Sequence, residues 1–284
     1  MANETTSTTL ATLLPLITSE ALFQAQERSL LRGLVRNFSI PAGSGKSIKV
    51  PVYPTQVASS LTEGTAMSNT AITTVGDTIT VGEVGVMTTV TDIGRIGASS
   101  DVVSSLGKVF GEGIALKIDQ DIAALFDNFQ TVVGDGAGDP VTAADVFKAI
   151  AVLRAKSVPQ DGMAVVLHPQ IAYDLKSSIT STFGAPASEV GNTAMRNSFV
   201  GTLGGVPVYE SAAISIDSSS GVSKGAVFHR DAIGLAMMQD IKIETQREIA
   251  ERGDKLSAVA IYGVAELIDS YGVEMHFDSS IVNP

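Results

Sequence analysis

The chain of 284 residues is long enough for roughly two domains, and its 44% hydrophobic content can bury a sizeable core. It carries 19 Lys and Arg against 30 Asp and Glu, so the formal net charge is −11 with the three His counted as neutral. Too few cations are present to build the basic face of a nucleic-acid reader. The absence of Cys excludes disulfides, thiolate metal sites and Cys nucleophiles.

No segment has the roughly 20 consecutive apolar residues that a membrane-spanning helix needs. The first twelve residues are polar and Thr-rich and lack the basic and apolar regions of a secretory signal. We therefore expect a soluble, cytosolic protein.

The first predicted helix covers residues 18–35, where Leu30, Leu31 and Leu34 cluster on one side. The residues before it form an arm with no pattern of their own to bury.

Residues 47–92 have the alternating pattern of β-strands, separated by a Ser/Thr-rich stretch at residues 55–76. The apolar positions of these strands are Ile48, Val50 and Val52, then Ile79 and Val81, then Val84, Val86 and Val90. Their parity changes from odd to even at residues 82–85, which predicts a β-bulge. The whole segment is predicted to be a long two-stranded excursion, and such a hairpin is marginally stable unless it lies on something else.

A long helix is predicted over residues 99–129, because apolar residues there recur every three or four positions. A Gly- and Asp-rich loop follows at 134–140, and Thr142 with Asp145 predicts the capped start of the next helix. Further on, Pro169 begins another predicted helix that reaches residue 179. The predicted strands are 164–167, 206–209, 226–229, 241–244 and 256–268, the last pairing with 273–277. Residues 181–198 are predicted to be a loop and 248–255 a charged turn. The order of these elements predicts an α+β fold.

The sequence predicts no catalytic, cofactor-binding or metal-binding residue. The Gly-rich stretch at 43–47 resembles a phosphate-binding loop, but Ile40 stands where that motif needs Gly, and a strand follows where it needs a helix. The His-Arg-Asp run at 229–231 lacks the Asn of a kinase catalytic loop. His168, His229 and His276 are scattered singly, without the spacing of metal ligands. Weak calcium binding by Asp135 and Asp139 remains a remote option.

This order of parts, an arm with a helix, a long hairpin, a long helix and an α+β remainder, resembles the Hong Kong 97 fold of tailed-bacteriophage major capsid proteins. Local stretches add to the resemblance: residues 47–51 are similar to the start of the family's E-loop, 164–172 to its strand-then-proline helix, 203–208 to the strand that follows, and 224–244 to its later strand pair. The resemblance covers nearly the whole chain and depends on the order and spacing of these segments.

The resemblance implies a division into an N-arm with a short helix (1–46), an E-loop (47–92), a peripheral domain with the spine helix (93–140, completed by late strands around 241–284) and an axial domain (141–240). It implies a structural protein, not an enzyme, that assembles into pentamers and hexamers of an icosahedral shell around a double-stranded DNA genome. No cofactor is implied. A nanocompartment shell of the encapsulin type and, in a different class, an α/β enzyme with an unrecognised site remain the alternatives.

Among partners, the resemblance implies further copies of the chain, scaffolding and portal proteins and, as an option, a decoration protein. The DNA would be enclosed without sequence-specific binding, and the protein would be assembled in the host bacterial cytoplasm and end in the virion capsid. We expect no maturation cleavage, since about seventeen residues precede the first predicted helix. The founding member of the family joins its subunits through a Lys of the E-loop. Residues 54–92 hold neither Lys nor Arg, so no crosslinking residue is carried over.

Overall fold

The computed structural model describes residues 29–41, 43–53, 75–93, 101–136, 138–183 and 199–281, with isolated positions between 58 and 71. Its helices are α1 (Leu31–Leu34), α2 (Asp101–Ala124), α3 (Ala143–Ala155) and α4 (Pro169–Phe183), with 3-10 turns at Leu125–Asn128, Arg230–Ala232 and Asp269–Tyr271. Its strands are β1 (Arg36–Ser39), β2 (Ser47–Val52), β3 (Val75–Thr80), β4 (Gly82–Thr91), β5 (Val132–Val133), β6 (Met163–Leu167), β7 (Phe199–Leu203), β8 (Val206–Glu210), β9 (Val222–His229), β10 (Ile233–Glu248), β11 (Gly253–Glu266) and β12 (Gly272–Asp278).

The described residues form three sheets, of which the first has the strand order β1-β10-β11-β4 and is built around the long antiparallel pair of β10 and β11. Strand β1 adds parallel to β10, and β4 adds antiparallel to β11. Alternate residues of these strands, such as Ile243 and Leu256, point to one face and pack on α2. The matching stripe of α2 consists of Phe110, Ile114, Ile118 and Ile122.

The helix α2 lies along this sheet and is the longest helix in the described part of the chain. Its 24 residues span about 36 Å at 1.5 Å per residue. Tyr262 of β11 donates a hydrogen bond from its hydroxyl to Asp121 at 2.8 Å, which fixes the helix to the sheet by a polar contact. The predicted helix ran to residue 129, whereas α2 ends at Ala124 and continues as a 3-10 turn. That turn buries Phe126 against Phe228, with ring centroids 5.4 Å apart.

The second sheet has six strands in the order β5-β12-β9-β6-β8-β7. All five residues of β6 are buried, which requires cover on both faces. Val165 packs in a cluster with α3 and α4, while its neighbour Val166 packs in the cluster that contains Phe126 and Phe228. The end of α2 and its 3-10 turn thus cover the face opposite α3 and α4. The third sheet is the two-stranded hairpin β2–β3.

Several local predictions are confirmed. The carboxylate of Asp145 accepts hydrogen bonds from the backbone N–H of Thr142 at 3.0 Å and from its hydroxyl at 2.6 Å, so the predicted cap of α3 is present. The predicted strand at 164–167 lies within β6, and Pro169 begins α4. The predicted strands at 206–209, 226–229 and 241–244 lie within β8, β9 and β10. The predicted loop at 181–198 overlaps the end of α4, and its residues 184–198 lie outside the described residues.

Two predictions about strands are wrong. The change of parity at residues 82–85 is not a bulge in one hairpin: the chain leaves β3 at Val81 and continues as β4, which pairs with β11 instead of β2. Strand β11 pairs with β10 and β4, not with β12, and β12 lies in the six-stranded sheet beside β9 and β5. Both errors concern pairings between distant segments, which alternation along one strand does not determine.

The predicted helix at residues 18–35 is described only at its end, where α1 covers Leu31–Leu34, and the residues up to 28 lie outside the described residues. The predicted start of the long helix at 99 and 100 lies outside them as well.

Within the described ranges, no helix combines the length and the apolar character that crossing a membrane would need.

Candidate interaction surfaces

The hairpin β2–β3 is attached to the four-stranded sheet through a small apolar cluster at its root. Ile79 is fully buried, and Val50 and Val81 are nearly so; they pack with Ala236 of β10 and with Leu267. Beyond this root, the side chains of Tyr53 and Leu61 are each 67% exposed. The hairpin therefore has a firm base, while its outer part presents apolar groups to its surroundings.

Two glycines permit the close approach of the hairpin. A Cβ on Gly263 would lie 2.1 Å from the carbonyl oxygen of Thr80, and a Cβ on Gly234 would lie 2.8 Å from Cδ1 of Ile79. Any side chain at these two positions of β10 and β11 would push the hairpin root away. The sequence thus encodes this junction through two glycines, whose lack of a side chain allows the close contact. Hydrophobic periodicity does not reveal such a signal.

Three carboxyl groups meet at the same junction. Asp77 of β3 shares the inner face of the hairpin with Ile79, because the two residues are two positions apart. The side chains of Glu266, the last residue of β11, and Asp269 are joined by a hydrogen bond, and Asp269 also accepts the backbone N–H of Gln130 at 2.8 Å. Partial burial, followed by the charges of Asp269 and Asp77, raises the pKa of Glu266 to about 7.

A buried acid of α2 holds the end of the N-terminal segment. Asp119 is 4% exposed and accepts hydrogen bonds from the hydroxyl of Ser29 at 2.6 Å and the backbone N–H of Leu30 at 3.0 Å. The N-terminal residue before α1, Leu30, has no side chain that could cap the helix, so Asp119 of α2 supplies the capping carboxylate instead. Burial raises the pKa of the Asp119 carboxyl, and these hydrogen bonds act against that rise. Sequence analysis missed this residue, whose only signal is an acid beside the apolar stripe.

The hairpin root covers the outer face of the four-stranded sheet, opposite α2, around Ala236 and Gly263, whereas the part of this face further along β4 is exposed. Met87 of β4 is 66% exposed on this face, opposite Ser257 of β11. The end of the sheet carries two further apolar side chains, since Ile93 and Ile249 are 84% and 83% exposed. Arg247 fixes the shape of this end through two hydrogen bonds of 2.7 Å to the carboxylate of Asp92.

The long helix also has an exposed apolar stripe on the side away from the sheet. Val109 and Leu116, two turns apart, are 58% and 49% exposed. The hairpin, the sheet and the helix thus each present large apolar side chains outside the core. Scattered exposed apolar residues are normal on proteins, and Phe147 of α3 and Tyr173 of α4, beside the six-stranded sheet, are exposed as well.

The residues that sequence analysis considered for chemistry are placed apart from one another. The stretch at 43–47 is a turn, with Gly43 and Gly45 at φ of 90° and 89°, and leads into β2. His229 is buried and bonds the carbonyl of Asp161 at 2.8 Å, whereas His276 lies beside Glu274. No group of three or more potential metal ligands occurs among the residues that the structure describes.

Lys224 makes the main ionic contact at the junction of α2 with the six-stranded sheet. Its ammonium contacts the carboxylate of Asp127, after the end of α2, and lies 3.6 Å from the nearly buried carboxylate of Glu274 on β12. The hydrogen bond to Asp127 is the main cause that raises the pKa of Lys224. The amine is therefore protonated at neutral pH, so this cluster is a structural ion network without a nucleophile.

The sequence profile of a family described as phage capsid protein matches residues 57–273, about three quarters of the chain. The chain belongs to this phage capsid protein family. The match extends from the outer part of the hairpin through β3, β4 and α2 to the start of β12, and it begins after β1, β2 and Tyr53. A comparison with curated proteins found no match.

Solved structures show the same fold. The capsid structure of the cyanophage P-SCSP1u is 17% identical, with a TM-score of 0.67 over 89% of each chain. The capsid of Ralstonia phage GP4 is 10% identical, with a TM-score of 0.69 over 88% of each chain. The SrpI encapsulin from Synechococcus elongatus is 13% identical, with a TM-score of 0.65 over 89% of each chain. The chain thus has the Hong Kong 97-type capsid fold that the sequence predicted, and it is a structural capsid protein.

Proposed function

We propose that this chain is the major capsid protein of a tailed phage, and that its copies assemble into pentamers and hexamers of an icosahedral shell enclosing double-stranded DNA. Membership of the phage capsid protein family supports the phage role. Scaffolding, portal and optional decoration proteins would be its partners, and the host cytoplasm its place of assembly. In this role the chain acts by assembling and is not an enzyme.

The observation that carries the proposal is the set of apolar surfaces that one chain leaves open. Tyr53 and Leu61 of the hairpin are 67% exposed, and Val109 and Leu116 of α2 are about half exposed. Burying a large apolar side chain stabilises an interface by roughly 1.5–3 kcal/mol. We infer that the hairpin of one copy lies over α2 and the outer sheet face of the next.

The division into N-arm, E-loop, peripheral and axial domains also belongs to this proposal. The hairpin β2–β3 corresponds to the E-loop and α2 to the spine helix. The four-stranded sheet would form the peripheral domain with α2, and the six-stranded sheet would form the axial domain. Two boundaries then move from those expected: β4 passes from the E-loop to the peripheral domain, and β12 passes from the peripheral to the axial domain.

An encapsulin-type shell is the second candidate, favoured by the similarity of fold to the SrpI encapsulin. The contents of particles from the native source discriminate the two functions. Nuclease-protected DNA of one defined length supports the phage capsid, whereas a protein cargo without such DNA supports the nanocompartment. The charge of −11 gives the chain no means to condense DNA by itself, so we expect empty shells to assemble without nucleic acid.

A hairpin variant tests the assembly itself. Replacing residues 54–74 by a short Gly-Ser turn keeps β2 and β3 paired, since Val52 lies directly opposite Val75. We expect a folded chain with an unchanged circular dichroism spectrum that forms no shells by electron microscopy. The double variant Val109→Ser and Leu116→Ser should reduce shell yield, while Gln120→Ser, another exposed position of α2, should not. Shells at normal yield from the hairpin variant would contradict the proposed assembly.

A further inference from the structure

The outer edge of the four-stranded sheet is formed by β4, and its backbone is arranged to pair with a further strand. Strand β4 pairs with β11 without a register shift from Gly82 to Thr91, and no strand in the described part of the chain lies on its other side. The backbone N–H of Asp92 donates to the carbonyl of Arg252 at 2.9 Å, so the even-numbered residues bond toward β11. Because backbone groups alternate sides along a strand, those of the odd-numbered residues from 83 to 89 point outward.

We propose that this edge pairs with the same edge of a second copy, antiparallel about a two-fold axis, so that the two four-stranded sheets join into one continuous sheet. The inference deepens the proposed function and rests on it, because an icosahedral shell contains two-fold axes between its subunits. Met87 lies on the axis in the proposed register, opposite Met87 of the second copy, and Gly85 lies opposite Thr89. Such a pairing uses both edges up and therefore closes, without leading to a fibre.

The side chains of β4 fit this register on both faces of the sheet. On the face that carries α2, Val84 lies opposite Val90, and such β-branched pairs stabilise antiparallel strands. On the outer face, Met87 is 66% exposed in the single chain and would be covered by its counterpart. A relative shift by two residues would place Val90 opposite Gly82 in one direction and Val84 opposite Asp92 in the other. The apolar pattern therefore favours the register centred on Met87.

Charge does not oppose the pairing, although each copy carries a net charge of −11. Glu83 is the one charged residue of β4. The two Glu83 carboxylates lie at opposite ends of the seam, roughly 27 Å apart at 3.4 Å per residue. That separation is about three Debye lengths at physiological ionic strength, so their repulsion is largely screened. Asp92, just beyond the strand, is already paired with Arg247 through two hydrogen bonds of 2.7 Å.

The exposed stripe of α2 borders this edge. A Cβ on Gly113 of α2 would lie 3.6 Å from Cγ2 of Val86 on β4. Val109 and Leu116 lie four positions before and three positions after Gly113, so they follow the same flank of the helix. The seam thus has exposed apolar side chains beside it on the helix side and Met87 on the outer side, and it continues the surfaces assigned above to contacts between subunits.

Because the chain contains no Cys, a single substitution reports on the seam. Met87→Cys in the full-length chain places two thiols opposite each other, with Cα atoms about 5.5 Å apart, within the range that a disulfide spans. We expect mild oxidation of assembled shells to convert most subunits to dimers on a non-reducing denaturing gel. Thr89→Cys, an exposed position on the same face, is the matched control. Its two copies lie roughly 14 Å apart in the proposed register and should stay monomeric.

Thr89→Pro is a second variant, and it carries the test if Met87→Cys does not assemble. The backbone N–H of Thr89 points outward, so its loss leaves the bonds to β11 in place and removes a donor at the seam. We expect shell yield to fall about tenfold, with Thr89→Ala assembling normally. The thermal unfolding midpoint of the unassembled chain should be the same in both variants.

The outcomes separate the pairing from the proposed function. Shells of Met87→Cys that stay monomeric would mean that another partner, such as the hairpin of a neighbour, occupies the edge. That result, equal dimer formation in Thr89→Cys, or normal shells from Thr89→Pro overturns the pairing and leaves the capsid role standing. An unmodified chain that forms no shells contradicts the proposed function, and the pairing with it.

Discussion

The six-stranded and the four-stranded sheet differ in how they are covered. In the first, neighbouring residues such as Val165 and Val166 are both fully buried, because helices cover one face and the end of α2 covers the other. In the second, Ile243 is 8% exposed on the inner face, while Met87 is 66% exposed on the outer face. The six-stranded sheet is thus covered on both faces within one chain, whereas the outer face of the four-stranded sheet is covered by the hairpin root around Ala236 and exposed at Met87.

The edge of the four-stranded sheet leads to the same conclusion. Strand β4 lies at the edge, is ten residues long and contains no Lys, Arg or Pro, with Glu83 as its one charge. Long edges without such protection tend to pair with other chains. An open edge and a partly exposed face on one sheet support the proposal that neighbouring copies cover this sheet in the particle.

The largest expected effect on stability is the difference between a substitution at a buried position and one at an exposed position. Phe228 is fully buried against Phe126, so Phe228→Ala should lower the free energy of unfolding of the unassembled chain by about 3–5 kcal/mol. Met87→Ala on the open face should change it by no more than about 0.5 kcal/mol. Urea denaturation of both variants measures the difference. Equal losses would show that Met87 is covered within one chain.

The second effect concerns the junction of the hairpin with β11. Gly263→Ala places a Cβ 2.1 Å from the carbonyl oxygen of Thr80, so the hairpin root must shift, at a cost of about 1–3 kcal/mol. Gly82→Ala is the matched control, because a Cβ there meets no atom within 4 Å. Thermal unfolding should show a lower midpoint for the first variant only. Equal midpoints would mean that the hairpin does not rest on Gly263.

Much of the local structure could be predicted from the sequence. The cap at Thr142 and Asp145, the strand before Pro169 and the apolar stripe of α2 depend on residues close together in the chain, and all three are present. The order of these elements was enough to indicate the capsid fold, because that fold resembles this succession of an arm, a long hairpin, a long helix and an α+β remainder.

The remaining features depend on contacts between distant residues. The parity change at residues 82–85 marks the point where the chain leaves the hairpin and joins the four-stranded sheet. This can be recognised only when β11 is known to be the partner of β4. Asp119 and the trio around Glu266 consist of single acids with no motif in the sequence. Asp77 and Glu266 are separated by most of the chain, and only the fold brings them to one junction.

The smallest expected effect concerns the carboxyl of Glu266, at the end of β11, and its contribution to stability. The pKa of Glu266 is about 7 in the folded chain, against about 4.3 in an unfolded one. Between these values the folded chain keeps a proton that the unfolded chain has lost, so this group makes stability fall as pH rises from about 4.3 to 7. Above pH 7 both states are ionised and the slope vanishes.

Glu266→Gln removes this dependence, because Gln does not titrate. Between pH 5 and pH 8 the unmodified chain should lose about 1 kcal/mol more unfolding free energy than the variant, a figure reduced from the full linkage value because the carboxyl is partly exposed to screening solvent. Urea denaturation at the two pH values gives the difference, with Glu83→Gln as the control that should follow the unmodified chain. If the two pH profiles run parallel, Glu266 is ionised in the folded chain well below pH 7, and the acids at the hairpin root do not interact as the structure places them.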